Sequence, residues 1–448
     1  MRKFLTIFFS FMALTALWAE SIKLSDGILK EDYSYPSRGN RKYTLENNWV
    51  SSRAEGNFIA PGTEGVVRGM AAKDGVMYFI NRELNALVLV DAVTGQMADT
   101  LYITGEHLFQ TGTEVDSIME WKSAVTLPFN DIKVDQAGNV LIGACVRKAE
   151  TFFVYKVDLN TGEATELIKE CICDNSDFAD VDYRFDAFGV YGDVNGDACI
   201  MAANANGMDV YRWLIKDGVV GQAEKILIAL DSNIDSSLNL SATKLNTAPQ
   251  IYPQDEVGSL FYVDGYSLYP MLISEDGLLV EDMVEIPTGK TVVNDLDNVL
   301  TIDGAMNGML EFQVGNEYFF LMAASNCLYT QIPATFALFK FKDENRSFSE
   351  LEPLWYFPVK GMGDGNAKNA CFTAPVSVEV IEDKATMYLY SQNLGYASYT
   401  LTIQTNDIAT LVDDVPTDSI TITKILRGGQ LLILRDGIEY NAQGALLK

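Results

Sequence analysis

A turn signal recurs along this chain at a nearly constant interval, and an apolar, β-branched or aromatic run follows each recurrence. The residues near the first hairpin of each unit are Asp74, Asp135, Asn195, Asp255, Gly315 and Asp383. Subtracting successive positions gives intervals of 61, 60, 60, 60 and 68 residues. A repeat of this length that contains only strands predicts a solenoid or a β-propeller.

The unit at residues 70–103 shows the pattern most clearly. Asp74-Gly75 is a strong hairpin signal, and residues 76–80 after it are of the types that favour strands. Residues 86–90 form a continuous apolar run, as expected for a strand buried on both faces. Residues 96–103 mix polar and apolar side chains, as an outer strand does. The unit therefore predicts four short antiparallel strands.

Four antiparallel strands per unit favour an all-β propeller, because radial repetition protects the sheet edges. The last unit, at 372–404, shows only three strands, whereas the strand at 43–51 belongs to no complete unit. We therefore expect six blades, with the N-terminal strand supplying the missing strand and closing the ring. A seven-bladed ring is one alternative, because the 68-residue interval and the loop at 288–300 contain residues that could form further strands. Hairpins of one large sandwich are another.

The two ends of the chain predict export and further segments. Residues 1–19 combine a basic start, an apolar run and small residues before the expected cleavage, which is the layout of a secretory signal peptide. We expect an N-terminal arm at 20–42, the propeller at 43–404, a linker at 405–423 and a tail at 424–448. This organisation predicts a secreted monomer whose mature chain does not insert into a membrane.

The charge of the chain is strongly negative, with a formal net value of −28. Such a charge argues against nucleic acid and anionic membranes as partners, because the field of the whole protein would repel them. Solubility outside the cell explains it, and a preference for cationic ligands or calcium is the sharper alternative. Of the six cysteines, Cys145 and Cys199 fall in corresponding second strands, where we expect small core residues.

The C-terminal segment, KILRGGQLLILRDGIEYNAQGALLK, resembles the tails of many secreted Bacteroidetes proteins. Such tails are similar to the sorting domains of type IX secretion, which implies passage across the outer membrane. Gly428 stands where those tails more often have an acidic or amide residue. The repeats, for instance MAAKDGVMYFI and YKVDLNTGEATELI, resemble uncharacterised secreted propellers of the same bacteria. That resemblance implies no particular activity.

A polar residue begins the first strand of each unit, near one mouth of the expected central channel. Aligning the units gives Arg68, Asn130, Asp186, Asn246, Asn307 and Thr373 as these positions. Such residues suit any solvated channel mouth. The functional hypothesis is that they line a ligand site together with aromatic neighbours.

Metal and catalytic signals are sparse. Asp193, Asn195 and Asp197 place oxygen ligands at alternate positions, as at the start of a calcium loop. The residues that follow depart from that pattern, so a polar hairpin turn is the simpler explanation. His107 is the one histidine, so multi-histidine metal sites are excluded and a histidine-dependent triad has little support. We predict no catalytic residues and no cofactor other than a possible calcium ion.

These observations predict a non-catalytic protein that holds a glycan, peptide or protein at the channel face. The alternative is a calcium-dependent hydrolase or a lactonase-like propeller enzyme. A scaffold whose loops only mediate association is a third possibility. Fold alone does not decide among them, because propellers host many activities.

Overall fold

The computed structural model shows an all-β chain. It describes residues 41–105, 127–147, 151–170, 183–230, 243–265, 268–283, 307–323, 334–358, 360–363 and 373–405. Strand backbones are also described at 22–23, 33–34, 110–115, 118–123, 291–293, 299–301, 422–427, 430–435 and 438–441. Residues 1–19, His107 and residues 406–421 of the linker expected at 405–423 lie outside these ranges, as do Cys171, Cys173, Cys327 and Cys371. The one helical element within them is the 3-10 turn Phe348–Glu350.

The strands are numbered in chain order. Those of the first half are β1 (Ile22–Lys23), β2 (Tyr33–Ser34), β3 (Arg41–Ser52), β4 (Val67–Lys73), β5 (Val76–Asn81), β6 (Ala86–Asp91), β7 (Met97–Tyr102), β8 (Gln110–Val115), β9 (Ile118–Ser123), β10 (Leu127–Val134), β11 (Val140–Arg147), β12 (Phe152–Val157), β13 (Ala164–Glu170), β14 (Arg184–Gly192), β15 (Ala198–Asn204), β16 (Asp209–Lys216), β17 (Val219–Val220) and β18 (Glu224–Leu227). Those of the second half are β19 (Ile251–Pro253), β20 (Leu260–Gly265), β21 (Leu268–Ser274), β22 (Leu279–Asp282), β23 (Thr291–Val293), β24 (Val299–Thr301), β25 (Met309–Val314), β26 (Glu317–Ala323), β27 (Phe336–Phe341), β28 (Leu351–Phe357), β29 (Val376–Ile381), β30 (Lys384–Ser391), β31 (Gly395–Thr405), β32 (Ile422–Arg427), β33 (Gln430–Arg435) and β34 (Ile438–Asn441).

The larger of two compact units comprises Met1–Tyr33 and Thr44–Ile403. Its repeats form antiparallel meanders, which run β4 to β7, β10 to β13, β14 to β16 with β18, β19 to β22, and β25 to β28. A further meander runs from β29 to β31, and β3 lies beside β31. The second and third meanders are joined where Val146 pairs with Phe185 and Arg147 with Arg184. Two smaller pairings, of β8 with β9 and of β23 with β1 and β24, complete the described sheets of this unit.

Local sequence explains the meanders. Asp74 and Gly75 both have positive φ, 51° and 76°, which is the geometry of the tight turns that join antiparallel strands. After this turn β5 is buried along almost its whole length, whereas β7 is largely exposed. The observed β4 to β7 agree with the strands predicted for residues 70–103 to within a few residues.

The N-terminal strand contacts the last meander, as expected from the strand missing there. Asn48 Nδ2 donates hydrogen bonds of 2.9 Å to Ser398 Oγ and to Thr400 Oγ1. The indole of Trp49 meets the ring of Tyr396 edge-on at 5.6 Å between centroids. The first and last parts of this unit therefore share one sheet.

Aromatic contacts pack neighbouring meanders against one another. Phe79 of β5 meets Tyr390 of β30 at 5.1 Å between ring centroids. Corresponding contacts are Phe152 with Trp213 at 5.2 Å, Tyr262 with Phe320 at 5.4 Å, and Phe357 with Tyr399 at 4.8 Å. Such buried aromatic pairs add to the large hydrophobic stabilisation that each ring supplies.

The smaller unit comprises Ser34–Tyr43 and Gln404–Lys448. Within it β32, β33 and β34 form an antiparallel sheet in sequence order. Leu426 pairs with Leu431, and Arg435 pairs with Ile438. The two hairpins coincide with the turn signals at Gly428-Gly429 and Asp436-Gly437.

Candidate functional site

The first strands of six meanders surround one cavity of about 950 Å³. Its walls are residues from β4, β10, β14, β19, β25 and β29 and from loops that follow some of them, together with Tyr318 and Arg346. These are the strands whose beginnings were aligned in the sequence analysis. The repeat thus brings one segment from each unit to the same space.

Two glycines let neighbouring first strands approach closely. A Cβ atom on Gly189 would lie 2.1 Å from the backbone oxygen of Ile251, and one on Gly308 would lie 1.8 Å from that of Ala374. Any side chain at either position would therefore force the two strands apart. The glycines keep the wall of the cavity tight at these points.

The six predicted site residues come together at the end of the cavity where the first strands begin. Arg68, Asn130, Asp186, Asn307 and Thr373 are buried, and Asn246 is half-buried. Within the described part of the chain none of the six lines the 950 Å³ cavity, whose walls start farther along the same strands. Whether they bind a ligand stays a prediction, but the structure shows that Thr373 bonds to Arg68 and that Asn130 bonds to Asp186.

Side chains of one meander bond to the backbone of the next. Thr373 Oγ1 donates to the backbone oxygen of Arg68 at 2.9 Å, and Asn130 Nδ2 donates to that of Asp186 at 2.5 Å. These bonds join the last meander to the first and the second to the third. They hold the first strands of these neighbouring meanders together.

The same pattern continues around the remaining meanders. Asp186 Oδ2 accepts a bond of 3.1 Å from the backbone N–H of Ala248, and Asn307 Nδ2 donates to the oxygen of Thr247 at 3.1 Å. The N–H of Ala374 donates to the oxygen of Asn307 at 3.4 Å. Asn246 takes a positive φ of 71°, and its side chain accepts a bond from the next backbone N–H. It shapes the loop before β19.

Asp186 is the centre of the charged part of this hydrogen-bond network. Its carboxylate accepts bonds from Arg184 Nε at 2.7 Å and Arg184 Nη2 at 2.8 Å, and Arg68 Nη1 lies 4.0 Å away. The thiol of Cys145 contacts Asp186 Oδ1 at 3.4 Å. Burial, reinforced by Asp186, raises the pKa of Cys145 to about 12, so this thiol is not a nucleophile at neutral pH. Cys145 and Cys199 are both buried free thiols, which agrees with their expected place in the core.

The cavity itself contains a polar corner that the sequence analysis did not identify. Arg346 Nη1 donates to Glu311 Oε1 at 2.7 Å, and the hydroxyl of Tyr262 donates to Glu311 Oε2 at 2.6 Å. The Arg346 guanidinium lies over the ring of Tyr318, 5.3 Å from its centroid. Both carboxylate oxygens of Glu311 therefore accept hydrogen bonds from protein groups, and these contacts fix the position of Arg346.

Unused hydrogen-bond donors face this corner. Gln254 Oε1 accepts a bond of 3.4 Å from Arg346 Nη1, while Gln254 Nε2 is buried without a partner in the described residues. Leaving a buried donor unpaired costs about 1–3 kcal/mol, so such groups often await a ligand or a water. Arg346 comes from the loop between the third and fourth strands of its meander, where no periodic signal marks it.

A second polar wall lies at β10 and β19. Lys133 Nζ donates to Asp131 Oδ1 at 2.9 Å and to Gln250 Oε1 at 3.3 Å. The N–H of Gln250 donates to Asp264 Oδ1 at 2.8 Å. Burial raises the pKa of Asp264 to about 7, although its hydrogen bonds and Lys133 oppose that rise. Asp264 is therefore partly protonated near neutral pH.

The predicted calcium residues form a hairpin turn whose oxygens already have partners. Asp193 Oδ1 accepts from the Asn195 N–H at 2.9 Å and from Asn139 Nδ2 at 3.1 Å. Asp197 bonds the ammonium of Lys216, which lowers the pKa of its carboxyl. Across the described residues, no three histidine, cysteine or acidic side chains are grouped as metal ligands. Calcium binding at this turn stays a prediction.

No helix among the described residues is both long and apolar enough to span a membrane.

The aromatic neighbours of the predicted site positions are Phe129, Phe185 and Phe372. Phe372 lies outside the described residues, as does His107, whereas Phe129 and Phe185 are buried. Both described rings belong to the core and not to an exposed site.

Comparison with known proteins gives a fold and no activity. A model described as "Domain of unknown function (DUF8500)" matches residues 108–268. No curated protein matches the chain. A solved DUF4623 family protein from Bacteroides eggerthii is similar with a TM-score of 0.56 at 12% identity, covering 83% of this chain and 84% of that one. At this identity the similarity concerns the fold alone.

Two other solved structures are more remote. Hydrazine synthase from Kuenenia stuttgartiensis has a TM-score of 0.36 at 9% identity, covering 76% of this chain and 84% of that one. The GH43 protein BlXynB from Bacillus licheniformis has a TM-score of 0.33 at 10% identity, covering 72% of this chain and 55% of that one. Scores this low support no inference about this chain.

Proposed function

We propose that this chain is a secreted, six-bladed β-propeller that binds a polar ligand in its central channel without converting it. Six meanders with first strands around one cavity support the blade count, and β3 beside β31 supports closure by the N-terminal strand. The similarity to a Bacteroides protein of the same overall fold is compatible with secretion. The tail at 424–448 as a sorting signal, and a monomeric state, belong to the same proposal.

The observation that carries the binding function is the cavity with its unused donors. A volume of about 950 Å³ lies at the upper end of the range for small-molecule sites, and it suits an oligosaccharide or a short peptide. Gln254 Nε2 and the remaining N–H groups of Arg346 can donate to such a ligand, and Tyr318 offers an aromatic surface beneath them. These groups suit a glycan or a peptide better than an apolar molecule.

The same corner supports binding over catalysis. The Glu311 carboxylate holds the guanidinium of Arg346 and the hydroxyl of Tyr262, which suits a group that orients Arg346 toward a bound ligand. A calcium-dependent hydrolase stays the alternative, and no arrangement in the described residues favours it.

The test is a binding screen with the full mature chain. Short neutral and acidic oligosaccharides and short peptides are screened by thermal shift, and each hit is titrated by calorimetry. We expect a hit whose affinity falls about tenfold or more in Gln254→Ala, because a buried hydrogen bond is lost. The control Gln96→Ala removes an exposed amide and should bind as the wild type does. Equal affinity in Gln254→Ala would place the ligand elsewhere.

A further inference from the structure

The first strands present a backbone edge to the cavity, and not one face of a sheet. β4, β19, β25 and β29 each lie at the end of their sheet, so each has a strand partner on one side only. On β29 every residue from 375 to 380 lines the cavity, although the side chains of a strand alternate between its two faces. An unbroken run of lining residues therefore indicates that the unpaired edge of β29 faces the cavity.

The register of β29 identifies which of its backbone groups face the cavity. The N–H of Tyr390 in β30 donates to the oxygen of Pro375 at 3.1 Å, just before Val376 in the ladder. Such a bond flanks a non-hydrogen-bonded pair, so the N–H and C=O groups of Val376 point away from β30. The alternation of the ladder gives Val378 and Val380 the same direction. We call the outward backbone groups of these three valines the β29 edge.

In three other first strands, part of the equivalent edge is covered or lacks a donor. In β4 the N–H of Ala72 donates to Ser377 Oγ at 3.1 Å, and in β25 the backbone oxygen of Glu311 accepts from the Tyr252 hydroxyl at 3.4 Å. In β19 Pro253 occupies an outward position and has no N–H. No described residue makes such a bond to the β29 edge. This edge is therefore open at three successive outward positions, and an open edge is a template for another strand.

A carboxylate stands beside the β29 edge without a basic partner among the described residues. Glu379 Oε1 accepts from the Asp74 N–H at 2.5 Å, and Oε2 accepts from the Tyr388 hydroxyl at 2.7 Å. The ammonium of Lys73 lies 3.8 Å from the Asp74 carboxylate instead. Burial raises the pKa of Tyr388, and the charge of Glu379 raises it further. A positively charged group on a ligand would offset this charge.

We propose that the cavity binds an extended peptide with a basic side chain, and that the main chain of this peptide adds as a strand to the β29 edge. The inference rests on the proposed binding function and narrows its ligand class to peptides. A peptide offers N–H and C=O groups at the spacing of a strand, whereas a glycan does not. The edge extends over residues 376–380, so a peptide of five residues matches it. A lysine or arginine of the peptide can then lie beside Glu379 as a cross-strand neighbour.

The test uses the mature chain and a randomised library of pentapeptides that are acetylated at the N-terminus and amidated at the C-terminus. Peptides retained by the immobilised chain are sequenced by mass spectrometry, and the most enriched one is titrated by calorimetry. We expect enrichment of lysine or arginine. Methylation of one amide nitrogen at a time should lower the affinity about tenfold or more at alternate amides and little at those between. The reason is that only alternate N–H groups of an added strand face β29.

A proline variant tests the same contact from the side of the protein. Val378→Pro removes one donor of the β29 edge, so the affinity for the enriched peptide should fall about tenfold or more. Proline suits an edge strand where the N–H faces away from the ladder, as Pro253 shows in β19. Gln313→Pro is the matched control, because it removes an outward N–H from β25, and it should bind as the wild type does. Melting temperatures check the folding of both variants, and the methylation series on the wild type decides if Val378→Pro does not fold.

Three results would overturn the inference: no enriched pentapeptide, equal losses on methylation of neighbouring amides, or unchanged affinity in a folded Val378→Pro variant. Stronger enrichment of acidic than of basic residues would contradict the role of Glu379. If no peptide is enriched but an oligosaccharide binds with a dependence on Gln254, the proposed binding function stands and this inference alone fails. If neither kind of ligand binds, both fail.

Discussion

Thr373 Oγ1 donates a hydrogen bond of 2.9 Å to the backbone oxygen of Arg68, which lies 305 positions earlier in the chain. The bond connects the start of the last meander to the start of the first. With the bonds of Asn130 and Asn307 to their neighbours, it joins first strands across the repeat boundaries. Contacts of this kind form only if the repeats are arranged as described. Substitutions at these contacts therefore test that arrangement.

Close approach of two first strands predicts a large effect of one methyl group. Gly308→Ala would place a Cβ atom 1.8 Å from the backbone oxygen of Ala374, so β25 and β29 must separate. We expect the free energy of unfolding to fall by roughly 3 kcal/mol, as in an overpacked core. Urea denaturation measures it.

Gly196→Ala is the control for that substitution. Gly196 lies in a turn, and a Cβ atom there would meet no atom closer than 3.7 Å. We expect a loss below about 1 kcal/mol. Equal losses for the two variants would show that β25 and β29 do not approach as described.

Asp186 predicts a stability defect that depends on its partners. Asp186→Asn removes the carboxylate charge that binds Arg184, and we expect a loss of roughly 3 kcal/mol, because the half-buried Arg184 and the buried Arg68 are left without a counter-charge. Arg68→Met should change stability by less than about 1 kcal/mol, since Arg68 makes no hydrogen bond to lose. Thermal denaturation of both variants separates the two roles, with the exposed Asp276→Asn as control. A large loss in Arg68→Met would mean that its guanidinium has a protein partner.

A residue that only lined a ligand site could be replaced without loss of stability, but Asp186 also bonds to Arg184 and to the Ala248 N–H, so Asp186→Ala should destabilise the fold. Alignment of the repeats identified six positions that lie near one another, because they begin the strands that line one cavity. It could not show that Asp186 is bonded to Arg184 and to Ala248, since these bonds depend on side-chain direction and on a neighbouring unit.

The strands of the repeat were predictable for a different reason. Asp74-Gly75 and the apolar runs beside it are local signals, so β4 to β7 could be located from the sequence. Arg346 and Gln254 were missed because they lie beyond the strand ends, in loops without periodicity. Their importance appears only when Glu311, from another strand, is placed between Arg346 and Tyr262.

Asp264 predicts a pH dependence of stability. Burial raises its pKa from 3.8 to about 7 in the folded chain, so the folded state binds more protons than the unfolded state between these values. The free energy of unfolding should therefore fall as pH rises from about 4 to about 7, by up to about 4 kcal/mol, and then level off. Urea denaturation across this range measures it.

Asp264→Asn is the matched variant for that dependence. An amide cannot ionise, so the variant should lose this part of the pH dependence and be relatively more stable above neutral pH. The same slope in wild type and variant would show that Asp264 is ionised throughout, with an ordinary pKa.

Calcium distinguishes the binding protein from the enzyme alternative. Because Asp193 and Asp197 already hold protein donors, we expect excess calcium chloride to leave the melting temperature of the wild type unchanged. Magnesium chloride at the same concentration controls for ionic strength. A calcium-specific rise that Asp193→Ala abolishes would instead support a metal at this turn and the hydrolase alternative.

Closure of the ring is tested most directly by a disulfide between β3 and β31. Asn48 and Ser398 are in side-chain contact at 2.9 Å although 350 positions separate them, so Asn48→Cys with Ser398→Cys should oxidise to a cross-linked monomer. Closing a loop of this length stabilises the folded chain by roughly 5 kcal/mol, so the oxidised form should melt at a higher temperature than the reduced form.

The pair Asn47→Cys with Ser398→Cys is the control. It should not cross-link, because Asn47 points to the other face of the strand. Cross-linking of the first pair alone is the predicted result. Failure of that pair to cross-link, or equal cross-linking of both pairs, would contradict a ring closed by the N-terminal strand.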